Sequence, residues 1–167
     1  MTHPFRVEPL NERHDRAAFA CGEEPLDRYL RTQATQDIRR RVASCFVAIE
    51  VATGRFAAYY TIAAASIPTP QLPPEILKRL PRHPTLPAVR IGRLAVDVAF
   101  RGRGLGAAML ADAVCRTMQA PPAVFALLVD AKNDAAAAFY RRYGFQPLTG
   151  QPLTLFLPMA TAEKLLL

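Results

Sequence analysis

The sequence predicts an α/β domain, because two apolar strand patterns are each followed by a helix pattern. The strand pattern Ile91–Asp97 precedes the helix pattern Ala107–Arg116, and the apolar run Ala123–Val129 precedes an alanine-rich helix that Asn133 can cap. A strand–helix–strand unit of this kind places its two strands parallel in one sheet. We therefore expect parallel strands in the second half of the chain.

The other elements follow from periodicity and turn residues. In chain order we expect a strand Phe5–Leu10, helices Asp15–Ala20 and Glu24–Arg40, hairpin strands Ser44–Val51 and Arg55–Ala65, a proline-rich stretch Pro68–Pro87 containing a short helix Pro74–Leu80, a last strand Leu153–Leu157 and a short terminal helix. Gly144 is placed to end the alanine-rich helix in a left-handed conformation. No segment has the composition of a linker, so the sequence predicts a single domain over residues 1–167.

Composition excludes several classes of protein. No apolar run approaches the roughly 20 residues of a membrane-spanning helix, and the start of the chain lacks the apolar core of a signal peptide. The three cysteines match neither a disulfide framework nor a metal site, and the three histidines lie far apart in the sequence. We therefore expect no bound metal, no membrane contact and a reducing, cytoplasmic location.

The chain carries a formal net charge of +7, and arginine supplies most of the positive charge. The basic residues cluster at Arg39–Arg41, Lys78–Arg82, Arg90–Arg93 and Arg141–Arg142. A solvated surface accounts for such clusters in many proteins, and an anionic cofactor accounts for one of them. Several clusters along one chain favour a polyanionic partner as well.

A glycine-rich stretch, Arg101–Gly106, lies between the strand pattern and the helix pattern that follows it. Gly102, Gly104 and Gly106 lack the Cβ atoms that would keep a phosphate away from the backbone N–H groups, and the N-terminus of a helix is positive. The glycine spacing matches neither the dinucleotide-binding fingerprint nor a P-loop. The stretch therefore predicts a pyrophosphate site.

A second motif, Asn133 with Phe139-Tyr140 and Gly144-Phe145, follows the next strand pattern. Together with Arg101, Gly104 and Gly106, it resembles the GNAT superfamily of acetyl-CoA-dependent N-acetyltransferases. The resemblance implies an α/β fold with a single mixed central sheet, flanked by helices, in which two parallel strands splay apart to admit acetyl-CoA. It implies these cofactor-binding residues: Leu94, Ala95, Val96, Arg101, Gly102, Arg103, Gly104, Leu105, Gly106, Ala107, Asn133, Ala136 and Tyr143.

Longer segments resemble a narrower group, the tRNA-acetylating GNAT toxins of bacterial toxin–antitoxin modules. These segments are Phe19–Leu30, Ser44–Val47, Tyr59–Ala65, Arg90–Asp97, Val129–Lys132 and Phe139–Phe145. The resemblance implies acetylation of the α-amino group of the amino acid on a charged tRNA, which stops translation. It also implies a ribbon–helix–helix antitoxin and a homodimer. Two alternatives remain open: a GNAT enzyme acting on a small-molecule amine or a protein N-terminus, and a binding module in which coenzyme A is structural.

The resemblance assigns Tyr140 as the general acid that protonates the sulfur of coenzyme A, and a backbone N–H near Val96 as the donor to the oxyanion. An α-amine has a pKa of about 7.7–8.0, against about 10.4 for lysine, so an aminoacyl ester needs no strong base. If a carboxylate base is used, the candidates are Glu50, Glu75 and Asp97. The expected tRNA contacts are Arg39, Arg40, Arg41, Lys78, Arg79 and Arg93.

Overall fold

The computed structural model describes residues 3–166, which form a seven-stranded sheet and six α-helices. The strands are β1 (Phe5–Pro9), β2 (Ser44–Glu50), β3 (Phe56–Pro68), β4 (Thr85–Val96), β5 (Ala126–Asp130), β6 (Gln146–Leu148) and β7 (Gln151–Pro158). The helices are α1 (Glu24–Thr32), α2 (Ala34–Arg39), α3 (Pro74–Leu77), α4 (Leu105–Gln119), α5 (Asp134–Arg142) and α6 (Met159–Leu166).

The strand order in the sheet is β1-β2-β3-β4-β5-β7-β6, and the sheet is mixed. β2 is antiparallel to both β1 and β3, and β7 is antiparallel to both β5 and β6. β4 and β5 are parallel and pair through Ala88–Ile91 and Ala126–Val129, with α4 as their crossover. The predicted α/β fold with a mixed central sheet is confirmed, and so is the parallel pair in the second half of the chain.

The chain forms two compact units. The first contains the residues up to Ala63 together with Gly92–Ala113, and the second contains Ala64–Ile91 together with the chain from Val114 onward. β3, β4 and α4 therefore each contribute residues to both units.

Aromatic side chains form the centre of the first unit's core. Phe19 packs edge-on against Phe56 and Tyr59, with ring centroids 5.2 and 5.5 Å apart. Tyr59 is fully buried, and its hydroxyl donates a 2.6 Å hydrogen bond to the Leu26 carbonyl oxygen of α1. α1 is thus held against the sheet by both apolar packing and a buried polar contact.

The second unit has its own apolar core, built mainly from aliphatic side chains of the strands. Ile67 of β3, Leu86 of β4, Leu128 of β5 and Phe156 of β7 are all buried in one cluster. β-Branched and aromatic residues suit such positions, because they pack well on a pleated surface.

Two predictions about the first half of the chain were wrong. Residues 15–20 form no helix: 17 and 18 form a turn, and the backbone on either side of them is irregular. The Asp15 carboxylate accepts a hydrogen bond from the Ala17 N–H, Phe19 is only 2% exposed, and the Ala20 N–H donates to the Asp97 carboxylate. These contacts stabilise an irregular backbone. A helix of about six residues is too short to be stable enough to replace them.

The second predicted helix, over residues 24–40, is interrupted at Gln33. This residue has φ −121° and ψ −31°, so it both ends α1 and precedes α2. The proline-rich stretch is also shorter than predicted, because β3 continues to Pro68 and β4 already begins at Thr85.

Among residues 3–166, no helix combines the length and apolar character needed to cross a lipid bilayer.

The Tyr59 hydroxyl bond to α1 leads to a stability prediction. We expect Tyr59→Phe to lower the free energy of unfolding by about 1–2 kcal/mol, because the hydrogen bond to the Leu26 carbonyl oxygen is lost while the ring packing is kept. Urea unfolding followed by circular dichroism measures this change. The same chemical change at half-buried Tyr143 is the control and should stay within about 0.5 kcal/mol. Equal stability of the two variants would contradict the prediction.

Candidate active site

β4 ends at Val96, and the next residue, Asp97, holds the turn that follows. The Asp97 N–H donates to the Ala57 carbonyl oxygen at 2.8 Å. Its carboxylate accepts hydrogen bonds from the backbone N–H groups of Ala20 (3.0 Å) and Ala99 (2.9 Å), and the residue is only 4% exposed. Asp97, a candidate base from the sequence, therefore has its carboxylate engaged by two backbone donors.

An exposed loop, Arg101–Gly104, follows this turn and leads into α4. Gly102 and Gly104 have φ of +76° and +74°, a region that costs a residue with a side chain about 1–2 kcal/mol. A Cβ at either position would meet nothing within 4 Å. The glycines are therefore required by backbone conformation, and the protein leaves the space beside them open.

The start of α4 continues this surface. The first helical hydrogen bond runs from the Ala108 N–H to the Gly104 carbonyl oxygen at 3.1 Å. Leu105, Gly106 and Ala107 precede that bond, so their N–H groups are not used inside the helix. A helix N-terminus of this kind attracts anions through its N–H groups and its dipole. The backbone from 101 to 107 thus offers N–H groups beside open space, where an anionic group could be held.

The side chains of the two loop arginines contact protein groups. Arg101 donates a hydrogen bond to the Cys21 carbonyl oxygen. Arg103 lies 3.4 Å from the Glu50 carboxylate, and its guanidinium carbon is 5.0 Å from the centroid of the Phe5 ring. Sequence reasoning placed both arginines near the phosphates but did not find these protein contacts.

The predicted pantetheine strand is the last part of β4. Ala95 is buried in the core of the first unit, whereas Leu94 and Val96 on either side of it are partly exposed. The parallel pairs between β4 and β5 end at Ile91, and β4 continues to Val96 beyond them.

In the second unit, α5 carries the predicted acid, Tyr140. Its ring packs edge-on against Phe139 and Phe145 at centroid distances of 5.1 and 5.4 Å, and the residue is only 7% exposed. Burial raises the pKa of the Tyr140 phenol to about 12. The group is therefore fully protonated at any physiological pH, as a proton donor must be.

The other predicted cofactor residues of α5 help to shape the helix. Asn133 is the N-cap, and its side-chain oxygen accepts a 2.9 Å hydrogen bond from the Ala136 N–H. Tyr143 is the C-cap, and its ring centroid is 5.3 Å from that of Phe139. Gly144 then has φ +95°, which confirms the predicted left-handed end of the helix.

Arg93 does not extend freely from β4. Its guanidinium carbon lies 3.4 Å from the centroid of the Tyr29 ring on α1, a cation–π contact. The Tyr29 hydroxyl donates to the Asp37 carboxylate at 2.7 Å. Hydrogen bonds from Gln33 and then Tyr29 hold the pKa of Asp37 below its usual value. The sequence analysis did not identify Tyr29 or Asp37 as neighbours of Arg93, although Tyr29 lies in residues 19–30, one of the segments that carry the toxin resemblance.

The cluster Arg39–Arg41 sits where α2 ends, and Arg41 has an unusual conformation. Its φ is +59°, the one positive value at a described residue other than glycine. The N–H of Val42 donates to the Asp37 carbonyl oxygen and that of Arg41 to Ile38, which is the Schellman pattern. Glycine is the usual residue at this position, so an arginine here costs stability.

The remaining predicted tRNA contacts are exposed. Arg39 lies 3.6 Å from Glu12, a pair in which both side chains are largely solvated, so it adds little stability. Arg40 and Arg41 are exposed in the first unit, and Lys78 and Arg79 are exposed directly after α3 in the second.

The other candidate bases lack a suitable environment. Hydrogen bonding from Thr53, followed by the bond from Arg103, keeps the pKa of Glu50 below its ordinary value, which makes it a weak base. Glu75 is exposed in the short helix α3.

The thiols also lack the features of nucleophiles. Burial raises the pKa of Cys21 to about 11 and that of Cys45 to about 12, so very little thiolate forms at neutral pH. In the part of the chain from 3 to 166, no set of three His, Cys, Asp or Glu side chains is arranged to hold a metal ion.

Comparison with known proteins gives one family match. The model of the "Acetyltransferase (GNAT) domain" family matches residues 42–147. A "tRNA-acetylating toxin" of Mycobacterium tuberculosis is 34% identical, over 94% of this chain and 93% of its own. A "probable toxin TacT" of Sinorhizobium fredii is also 34% identical, over 96% of this chain and 94% of its own.

Solved structures of toxins are similar over nearly the whole chain. AtaT complexed with acetyl-methionyl-tRNAfMet has a TM-score of 0.85 at 26% identity, covering 96% of this chain and 98% of its own. AtaTR bound with AcCoA has a TM-score of 0.80 at 28% identity, covering 97% and 98%. A phenylalanine-for-tyrosine variant of AtaT, bound to the C-terminus of the antitoxin AtaR, has a TM-score of 0.79 at 26% identity, covering 98% of both chains.

Two substitutions at Arg41 distinguish the effect of its backbone conformation on stability from the effect of its charge on tRNA binding. We expect Arg41→Gly to raise the free energy of unfolding by about 1 kcal/mol, because glycine adopts the left-handed conformation without strain. Arg41→Ala keeps the strain and should leave stability nearly unchanged. Both variants remove the charge and should weaken tRNA binding equally in a filter-binding assay at low salt. If Arg41→Gly is no more stable than Arg41→Ala, the strain argument fails; if tRNA affinity is unchanged, Arg41 makes no phosphate contact.

Proposed function

The chain belongs to the GNAT acetyltransferase family, and from this premise we propose that it transfers the acetyl group of acetyl-CoA to the α-amino group of the amino acid on a charged tRNA. The observation that carries this proposal is the 34% identity, over 94% of the chain, to a protein named as a tRNA-acetylating toxin. The likeness to AtaT in its complex with acetyl-methionyl-tRNAfMet supports the same substrate class. Acetylation of charged tRNA would block translation, which fits the names of the relatives as toxins.

In the proposed reaction the amine nitrogen attacks the thioester carbonyl carbon, and the carbon–sulfur bond breaks. The amine loses one proton, and the departing sulfur gains one. Tyr140 is assigned as the group that protonates the sulfur. With a pKa raised to about 12 by burial, its phenol still carries a proton when the sulfur departs. A thiol has an ordinary pKa of about 8.5, so protonation of the sulfur by the phenol alone is unfavourable. The proton released by the amine, carried through water, returns to the Tyr140 oxygen and balances the step.

The first unit is assigned the binding of the coenzyme's phosphates and pantetheine. Backbone N–H groups from Arg101 to Ala107 would receive the pyrophosphate, because the left-handed glycines and the start of α4 leave them accessible. The backbone of Leu94–Val96 would bond the pantetheine, and an N–H near Val96 would stabilise the oxyanion. In the second unit, Asn133, Ala136 and Tyr143 would add contacts from α5.

The hydrogen bonding of the candidate bases Asp97 and Glu50 supports an aminoacyl amine as the substrate in preference to a lysine amine. The Asp97 carboxylate is engaged by two backbone N–H groups, and the pKa of Glu50 is held below its usual value. Neither group suits the removal of a proton from an amine with a pKa of about 10.4. An aminoacyl ester amine is largely neutral already, and water can accept its proton.

The tRNA would be bound by exposed basic residues. Arg39, Arg40 and Arg41 in the first unit and Lys78 and Arg79 in the second are assigned to its phosphates. Arg93 would contribute near the acceptor end from its position above Tyr29.

We also propose the partners and setting that the toxin resemblance implies. These are a ribbon–helix–helix antitoxin, a homodimer, a single GNAT domain over residues 1–167, and a cytoplasmic location where charged tRNA is present. The complex of AtaT with the C-terminus of AtaR supports the antitoxin.

An acetyl-transfer assay tests the function. Purified protein with labelled acetyl-CoA should label the amino acid of at least one charged tRNA. Tyr140→Phe should lower kcat by about 10²–10⁴-fold, the range for a lost general acid, while the Kd for acetyl-CoA stays within about twofold. Thermal unfolding confirms that the variant folds.

Two results would contradict the proposal. Label on metabolite amines or protein N-termini, with none on any charged tRNA, would favour the alternative substrate. Full growth inhibition by Tyr140→Phe, with coenzyme binding intact, would favour a binding module that performs no catalysis.

The pH dependence of the acetyl-transfer rate tests two parts of the proposal: that Tyr140 is the acid, and that the reaction needs no protein side chain as a base. With an amide-linked aminoacyl RNA, which resists hydrolysis, the rate should rise as the amine loses its proton, with a midpoint at or below about pH 7.7. It should then stay level to pH 9, because Tyr140 with a pKa of about 12 remains protonated. A falling rate between pH 8 and 9 would show that the acid titrates too low to be this buried phenol.

A further inference from the structure

The short segment Ala20–Gly22, directly before α1, is bonded to the residues around the phosphate loop. The Ala20 N–H donates to the Asp97 carboxylate at 3.0 Å, and the Ala20 carbonyl oxygen accepts from the Val98 N–H at 2.9 Å. The Cys21 carbonyl oxygen accepts from the Arg101 guanidinium. Consecutive backbone groups of this segment are thus held by the end of β4 and by the first residue of the loop.

α1 itself completes the attachment of this segment. The Cys21 N–H donates to the Asp27 carboxylate at 3.0 Å, and Asp27 is only 6% exposed. The Asp27 carboxylate of α1 is therefore a buried acceptor for this segment. Arg101, 80 residues further along the chain from Cys21, is its charged donor.

Gly22 is the residue that makes room for the Arg101 contact. Its φ is +92°, and a Cβ built on it would lie 2.7 Å from Arg101 Nη2. The backbone conformation therefore favours glycine, and a side chain at this position would displace the Arg101 guanidinium. This explains why Cys21-Gly22 and Asp27 occur together in the segment 19–30, to which the acetyl-transfer chemistry assigns no role.

We propose that the Arg101 side chain is a positioning residue, which fixes the phosphate loop against Ala20–Gly22 so that coenzyme binding and the order of this segment are coupled. The inference rests on the proposed use of acetyl-CoA. The backbone N–H groups of the loop receive the pyrophosphate, and the Arg101 guanidinium sets where those N–H groups lie. A charge-assisted bond to a carbonyl oxygen is strong enough for this, because it is about twice as strong as a neutral one.

The coupling extends from the loop toward α1. The Cys21 N–H is tied to Asp27 of α1, and further along the helix Tyr29 lies under the Arg93 guanidinium of β4. Ordering the loop around a pyrophosphate therefore restrains the start of α1 through Arg101, and loss of Arg101 releases that start while the Tyr29 contact remains.

The test compares coenzyme affinity in variants of the two contacting residues. Arg101→Met keeps the length of the side chain but removes the donor and the charge. Gly22→Ala leaves every charge in place and displaces the guanidinium. Gly54→Ala is the matched control, since Gly54 also has a positive φ (+73°) but nothing within 4 Å of its Cβ position. Kd for coenzyme A is measured by calorimetry at 50 and 300 mM salt.

We expect Arg101→Met and Gly22→Ala each to weaken coenzyme binding by about fivefold, the equivalent of one hydrogen bond. The factor for Arg101→Met should change little between the two salt concentrations, because a direct, partly buried hydrogen bond to a carbonyl oxygen is screened less than a contact between exposed charges. Gly54→Ala should bind as the wild type does. The double variant should bind no more weakly than Arg101→Met alone, since the alanine Cβ then has room.

Amide hydrogen exchange supplies a second measurement. Coenzyme A should slow the exchange of the Ala20 and Cys21 N–H groups in the wild type, and this protection should be lost in Arg101→Met.

Several outcomes would overturn the inference. A loss of affinity in Arg101→Met that is large at 50 mM salt and disappears at 300 mM would identify the guanidinium as a direct phosphate ligand. Additive losses in the double variant would show that the two residues act independently, and unchanged affinity in both single variants would show that neither positions the loop. A wild-type protein that binds no coenzyme A would instead refute the proposed function itself.

Discussion

The buried carboxylate of Asp97 holds the end of β4 in place, and the position of the glycine-rich loop Arg101–Gly104 in the first unit depends on that contact. It accepts one hydrogen bond from the segment before α1 and one from the turn that leads into the loop. Hydrogen bonds from backbone N–H groups to a carboxylate oxygen are strong and directional. The strand can therefore stop abruptly at Val96, and the glycines that follow can take left-handed conformations at a defined position.

The positive charge of the chain divides into two kinds of arginine. Arg93, Arg101 and Arg103 contact an aromatic ring, a backbone carbonyl and a carboxylate within the first unit. Arg40 and Arg41 are exposed, and Arg41 occupies a helix end where glycine is favoured. A residue kept at such a cost is a reasonable candidate for a role outside the fold. The net charge alone therefore overstates how many arginines are available to an anionic partner.

Protonation states are consistent with direct transfer to an amine that is already neutral. The phenol of Tyr140 is kept protonated by burial, the thiols of Cys21 and Cys45 are kept from ionising by the same cause, and Glu50 is held in its charged form by its hydrogen bonds. The described residues thus offer a proton donor without a matching strong base or a thiolate nucleophile. Such an arrangement suits an amine of low pKa better than a lysine.

Sequence patterns predicted the features that depend on near neighbours. They include the strand before the glycine loop, the helix after it, the Asn133 cap and the Gly144 helix end. These features can be predicted because caps, turns and periodicity involve residues within a few positions of one another. Family resemblance then named Tyr140, whose position on a helix is readable but whose burial and raised pKa are not.

Contacts between segments far apart in the chain became visible only in the folded structure. The Cys21 carbonyl and the Arg101 guanidinium, like Tyr29 and Arg93, meet only after the sheet has formed. Other long-range contacts account for the irregular backbone at 15–20, where a helix was predicted: Phe19 is buried in the core, and the Ala20 N–H donates to the Asp97 carboxylate. Local conformation and the types of side chain present therefore follow from the amino-acid sequence alone. Folding determines which partner each charged side chain contacts, because no local rule specifies a contact between distant residues.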